Sequence, residues 1–267
     1  PGMKFVGFDY KSIEVMVAAC YTQDPNLLKY VQDKSTDMHR DAAIDVFKLD
    51  PNEVNKKWRF YAKNSFVFAE FYGDWYGSIA GKLWDTIGKE PELKAHLKKR
   101  GIKSYGDFED HLKEVERKFW YERFNVYRMW KEEQYQAYEL EGKITGYTGF
   151  EYQAPLSKNQ IVNYRIQGSA FHVLLWAYPR IAQELRDRGL KSVLLTEIHD
   201  QIIAEVAEEE EEIVDRIVYK WGIRRVQQWW PWIVVPLEIE KEASPVGGSW
   251  AEMKEVGYLQ PGGKDGI

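Results

Sequence analysis

The stretch Ser192-Val193-Leu194-Leu195-Thr196-Glu197-Ile198-His199-Asp200-Gln201-Ile202-Ile203-Ala204-Glu205-Val206 decides the fold of this chain. Its two apolar, β-prone halves are parted by a short polar step, which predicts a β-hairpin with His199-Asp200 near the tip. A second such run, Lys4-Phe5-Val6-Gly7-Phe8, leads into Asp9-Tyr10, so two acidic turns each follow a strand and place a carboxylate at its end. Two carboxylates brought together suit hard cations such as Mg²⁺, and two such ions ~3.5–4 Å apart can stabilise both the attacking and the leaving oxygen of a phosphoryl transfer. Acids at strand ends are also ordinary turn formers, so the pair alone leaves both readings open.

A phosphate-binding counterpart is offered by the segment from Lys56 to Gly73. Arg59 and Lys63 stand four residues apart, hence on one helix face and ~6 Å apart along the axis, which suits gripping a chain of phosphates. The aromatics Phe66, Phe68, Phe71 and Tyr72 follow. On spacing alone, an amphipathic core helix with solvated basic residues explains the segment equally well.

Taken together, these segments resemble the family A DNA polymerases of the bacterial polymerase I type, in the right order over nearly the whole chain. Asp9-Tyr10-Lys11-Ser12-Ile13-Glu14 is similar to the family's Asp-Tyr-Ser-Gln-Ile-Glu, and Asp37-Met38-His39 to the Asp-Ile-His that follows it. Arg59-x-x-x-Lys63 through Tyr72-Gly73 resembles the fingers helix, and Ile198-His199-Asp200 the third motif. Asn163-x-x-Ile166-Gln167-Gly168-Ser169-Ala170 and Val235-Pro236-Leu237-Glu238-Ile239-Glu240 with Trp250 resemble two further family segments.

The resemblance implies an α+β fold: an antiparallel-sheet palm (1–50 and 142–267) with a helical fingers insertion (51–141), and with thumb and exonuclease domains absent. It implies template-directed DNA synthesis on primer-template DNA from deoxynucleoside triphosphates. Asp9 and Asp200 would hold two Mg²⁺ ions, with the backbone carbonyl of Phe8 as a further ligand. Arg59, Lys63 and His39 would contact the triphosphate, Lys63 also serving catalysis, and Tyr10 is grouped with the nucleotide contacts. Tyr72 would border the nascent pair, and Glu14 would lie beneath the sugar as the gate against ribonucleotides. Asn163, Gln167 and His199 would touch the primer-template near its growing end, reading backbone and shape more than sequence.

Departures from the family pattern carry equal weight. Gln201 stands where the family usually has Glu, and Met16 where it has Arg. Phe150-Glu151-Tyr152 replaces an Arg-rich turn after Gly149. Lys63 and Tyr72 are nine residues apart where the family has eight, an insertion that a π-bulge can absorb. With such a bulge, Phe68 stacks on the incoming base; if the insertion falls later, Phe66 does. The first motif begins only nine residues in, and Pro1-Gly2 before Met3 reads as a cloning or protease remnant. A second polypeptide carrying the thumb, and an exonuclease if there is one, is therefore expected, as in a split, for instance viral, polymerase. The rival readings are a non-catalytic polymerase-like subunit that binds DNA or a partner, favoured by Gln201, and a metal-dependent phosphohydrolase, which has no use for the Glu14 gate.

The 267 residues carry a net charge of −5, so DNA affinity must come from a local basic lining or from a partner, not from global charge. One cysteine, Cys20, excludes an internal disulfide and reads as core. No apolar run nears the ~20 residues that span a bilayer and no signal peptide precedes Lys4, so no membrane partner is expected and the cytoplasm of a bacterial, archaeal or infected host cell is the expected location.

Helices are predicted over 12–20, 26–31 and 38–47, then almost continuously over 51–141, with Phe108, Leu112, Val115 and Phe119 at helical spacing behind a cap at Asp107. Turn-rich β structure is predicted over 142–152, a helix over 160–188 kinked or broken near Pro179, and a closing strand over 236–241. The acidic run 208–212 reads as the solvated first turn of a helix carrying Ile213, Ile217 and Trp221. Trp229, Trp230 and Trp232 read as packing, and His96, His111 and His172 lack metal-ligand spacing.

Overall fold

Main-chain pairing on both of its edges makes the strand Met3–Tyr10 the centre of the molecule's main sheet. In the computed structural model, which describes residues 2–261, the elements run β1 (Met3–Tyr10), α1 (Ile13–Thr22), α2 (Pro25–Gln32), α3 (Met38–Phe47), α4 (Lys56–Ala62), α5 (Phe68–Phe71), α6 (Tyr76–Gly88), α7 (Pro91–Lys99), α8 (Tyr105–Lys118) and α9 (Asn125–Glu141). They continue β2 (Ile144–Thr145), β3 (Glu151–Tyr152), α10 (Lys158–Asp187), β4 (Val193–Ile198), β5 (Gln201–Ala207), α11 (Glu211–Tyr219), α12 (Val226–Trp229), β6 (Ile239–Ala243) and β7 (Lys254–Tyr258). The class is α+β, as expected. Among the described residues no helix is long and apolar enough to cross a membrane.

The chain forms two compact units: a sheet unit of residues 2–21, Glu141–Pro155 and 162–261, and a helical unit of Thr22–Leu140 with Leu156–Ile161. The sheet has the order β4-β5-β1-β6-β7 with every pairing antiparallel. Val6, Phe8 and Tyr10 point to its buried face, where each large apolar side chain contributes ~1.5–3 kcal/mol. The predicted hairpin is β4-β5, with His199-Asp200 as its two-residue loop and His199 at φ 58, the left-handed start that tight hairpin turns demand. Close approach fixes Gly168: a Cβ there would sit 1.9 Å from the Tyr152 hydroxyl. Cys20 is core, 3% exposed.

In the helical unit, Phe71, Phe119, Trp120, Phe124 and Tyr127 form one aromatic cluster with ring centroids 4.8–6.2 Å apart. Residues 22–50, expected with the sheet, belong here instead. The buried Asp24 carboxylate caps α2 and also accepts the Tyr127 N–H at 3.0 Å, and Asn26 donates to the Arg123 carbonyl at 2.7 Å. Arg123 in turn pairs with Asp45 on α3. These ties are polar and distant in sequence, which hydrophobic periodicity does not register.

Other expectations shift for local reasons. The cap of α8 is Ser104, three residues before the predicted Asp107, which instead completes a reciprocal capping box. Helix α10 runs unbroken through Pro179; the Arg180 guanidinium donates to the Trp176 carbonyl at 2.6 Å, beside the acceptor that the proline leaves unpaired. The acidic run is only partly solvated. Glu210 accepts from the Lys191 and Ser192 N–H groups and the Ser192 hydroxyl, and Glu211 pairs with Lys4 and Lys241. The closing strand begins at Ile239, and a further strand, β7, follows it. Trp176, Trp221, Trp229, Trp230 and Trp232 pack as a chain of rings, although Trp229 stays 62% exposed. Pro1 of the expected remnant lies outside the described residues.

Candidate active site

The acid pair is built by backbone register. Asp9 lies opposite Gln201 in the β1-β5 ladder, and the Tyr10 N–H donates to the Asp200 carbonyl at 3.1 Å. Asp9 and Asp200 are therefore one ladder step apart, roughly 5–7 Å between Cα atoms. In a regular strand successive residues alternate faces, but Asp200 sits in the hairpin loop, where that constraint ends. Burial pushes the Asp200 carboxyl above the usual carboxylate range, opposed by its own backbone N–H and by His199. A bound cation would reverse that shift. Among the described residues no three acidic, histidine or cysteine side chains gather to hold a metal by themselves. Two carboxylates suffice for Mg²⁺, which commonly takes one or two protein carboxylates and completes its shell with water and substrate phosphates, so the donor set fits.

Phe8 lies in register with Ile202 on one side and Lys241 on the other, so its carbonyl is in a strand paired on both edges and has only a second lone pair to offer a metal. Tyr10 is corrected more firmly. Its ring is 1% exposed and its hydroxyl donates to the Gly222 carbonyl at 2.7 Å, so its side chain is a core pin and only its backbone is left for a nucleotide. Glu14 is half-buried in the first turn of α1. Asn163 and Gln167 lie half-buried on α10, and His199 is exposed at the hairpin loop.

The sequence reading missed the acids beside Asp9. Glu240 pairs with Asp9 across β6, and Glu242 pairs with Gly7, so both share the Asp9 face. The Gln201 amide donates to Glu242 at 3.3 Å across Gly7, where a Cβ would lie 2.7 Å from the amide nitrogen. Burial, then the neighbouring Glu255, raises the Glu240 carboxyl. The signal was present as the alternation Glu238, Glu240, Glu242, which puts all three on one face.

The cation cluster lies wholly in the helical unit. Between α4 and α5 the backbone makes a π turn over Lys63–Val67, with the Phe68 N–H bonded to the Lys63 carbonyl five residues back. This is the bulge the extra residue demanded; without it, every following side chain would rotate by about 100°. Phe66 is fully buried against Phe119 at 5.3 Å, which leaves Phe68 as the accessible ring. The Lys63 ammonium lies 5.4 Å from the Phe68 ring centre, and His39 meets the same ring edge-on at 5.7 Å. Tyr72 is 40% exposed and, with Asn64, Phe68, Gly73, Lys82 and Asn159, lines an open cavity of about 430 Å³.

Arg59 forms a two-bond fork with Asp37, Nε to Oδ2 at 2.6 Å and Nη2 to Oδ1 at 3.0 Å. His39 Nδ1 is buried without a hydrogen-bond partner. Burial, then Arg59 and Lys63, depress the His39 ring to about 4, so it is neutral at pH 7 and offers a hydrogen bond rather than a charge. His96, His111 and His172 each bond a backbone carbonyl or Thr148, consistent with structural roles.

The chain is thus an α+β protein with a five-stranded antiparallel sheet that sets Asp9 one ladder step from Asp200, and with a helical unit that carries a cation cluster on a π-bulged helix. The chain belongs to DNA polymerase family A, whose sequence profile matches residues 1–252. DNA polymerase I of Chloroflexus aurantiacus is 30% identical over 262 residues, 96% of this chain and 25% of that protein. DNA polymerase I of Aquifex aeolicus is 30% identical over 223 residues, 82% of this chain and 35% of its own length. The chain thus spans about a quarter to a third of these relatives. The POL domain of Pol1 from M. smegmatis, solved in complex with DNA primer-template and dNTP, superposes with a TM-score of 0.70 at 20% identity, covering 91% of this chain and 40% of that one.

Proposed function

We propose that this chain adds deoxynucleotides to a primer 3′ end under the direction of a template, as the palm (sheet unit) and fingers (helical unit) of a family A DNA polymerase. The observation that carries the reading is the placement of Asp9 one ladder step from Asp200. Bound there, two Mg²⁺ ions would activate the primer hydroxyl and neutralise charge on the α-phosphate and the leaving pyrophosphate. Asp9 and Asp200 would ligate them, with the Phe8 carbonyl as a further donor. Arg59 and Lys63 hold the triphosphate by charge-assisted hydrogen bonds, and neutral His39 donates one more. Phe68 stacks on the incoming base, Tyr72 borders the nascent pair, and Glu14 excludes a 2′-hydroxyl. Asn163, Gln167 and His199 contact the primer-template backbone.

In this reading the partners are primer-template DNA, deoxynucleoside triphosphates and a second polypeptide bearing a thumb. Gln201 favours one alternative, a polymerase-like subunit that binds DNA without catalysis, because it removes an auxiliary carboxylate. Primer extension with Mg²⁺, in the presence of whatever polypeptide co-purifies with this chain, separates the two. Extension that vanishes in Asp9→Asn and Asp200→Asn supports synthesis; DNA binding with no extension under any condition supports the alternative.

A further inference from the structure

We propose that Asp37 is a positioning residue of the nucleotide grip, a single carboxylate that holds Arg59 in its phosphate-ready orientation and fixes the backbone that carries His39. The inference rests on the proposed function, which gives Arg59 and His39 their ligand but gives Asp37 no role. Asp37 Oδ1 accepts the N–H groups of His39 at 3.1 Å and Arg40 at 3.0 Å, capping α3, while Oδ1 and Oδ2 together take the Arg59 fork. A planar guanidinium bound through Nε and Nη2 cannot swivel, and its Nη1 end is left for a phosphate oxygen.

Two further observations make that anchor matter. His39 Nδ1 has no hydrogen-bond partner, so the ring is placed by its edge contact with Phe68 and by the capped backbone beneath it. Arg59 and Lys63 are like charges one helical turn apart, and without an anion their repulsion would drive the more mobile side chain into solvent. Asp37 offsets one of the two charges before any nucleotide arrives. The Arg59 and Asp37 side chains are 40% and 33% exposed, so the pair adds little to overall stability and its effect falls on orientation.

The test uses the whole chain and a double-mutant cycle, titrating inorganic tripolyphosphate and, separately, dATP with Mg²⁺. Asp37→Asn and Asp37→Ser both keep an N-cap for α3 but lose the charged fork, so neither is expected to unfold the unit. Each should weaken binding of both ligands roughly fivefold to tenfold, with an unchanged melting temperature. In an extension assay KM for the nucleotide should rise while kcat changes little. In an Arg59→Ala background the same substitutions should have less than half that effect. Binding equal to or tighter than that of the parent, or an undiminished loss in the Arg59→Ala background, overturns the inference. If instead Arg59→Ala itself leaves tripolyphosphate binding unchanged, the reading of the cation cluster fails, and the inference with it.

Discussion

The acid pair of the sheet unit and the cation cluster of the helical unit reach their geometry by opposite routes. Asp9 and Asp200 are held by main-chain bonds: the ladder between β1 and β5 sets their spacing whatever their side chains do. Arg59, Lys63 and His39 are held by side chains and by a helix irregularity, through the Asp37 fork, the Phe68 ring and the π turn. A site fixed by backbone register tolerates change around it but not in its own two residues. A site fixed by side chains should lose affinity in graded steps as each support is removed.

The largest effect that would sharpen this contrast is expected at the acids. Asp9→Asn or Asp200→Asn should cut primer extension by on the order of a thousandfold while leaving the melting temperature and tripolyphosphate binding close to those of the parent. Retained extension in either variant would break the comparison at its stronger end. Smaller, graded losses are expected from the cluster. Lys63→Ala and Arg59→Ala should each raise the nucleotide KM by roughly 10–100-fold, read by steady-state extension. An all-or-none loss of folding in these variants would mean the cluster is structural. A change of selectivity rather than rate is expected from Glu14→Ala, which should admit ribonucleotides several-fold more readily in paired deoxy- and ribonucleotide assays; equal discrimination would place the gate elsewhere.

The smallest effect concerns stability. Glu70, 1% exposed on α5, accepts from the Trp120 indole at 2.7 Å, and burial followed by the neighbouring Glu116 pushes its carboxyl up to about 8 from an ordinary value of 4.5. A raised folded-state value means that the folded chain binds the extra proton, so this contribution is complete below about 4.5 and is lost as pH rises through about 8. Thermal unfolding between those limits should therefore show the parent losing stability with rising pH, and Glu70→Gln should flatten that slope by roughly 1 kcal/mol per pH unit. A slope unchanged by the substitution would assign the pH dependence to other groups.

The two routes also explain what could be read in advance. The hairpin, its loop and the acid at each strand end were legible because two apolar, β-prone runs flank a two-residue polar step. The π turn was legible as a count, one residue too many between Lys63 and Tyr72. The Asp37–Arg59 fork was not, because it joins residues 22 apart whose approach is set by packing of α3 against α4. Strand β7 escaped notice because Lys254-Glu255-Val256-Gly257-Tyr258 is a mostly exposed edge with little alternation. The core role of the Tyr10 ring was hidden for a related reason: a residue next to a site acid points to the opposite face of the strand, here onto Gly222.

The most direct test of the central claim is Mn²⁺ titration of the chain followed by electron paramagnetic resonance, with and without a deoxynucleoside triphosphate. Binding that is weak alone, tightens with nucleotide, and is lost in both Asp9→Asn and Asp200→Asn is the expected result. Undiminished Mn²⁺ binding in the double variant would contradict it.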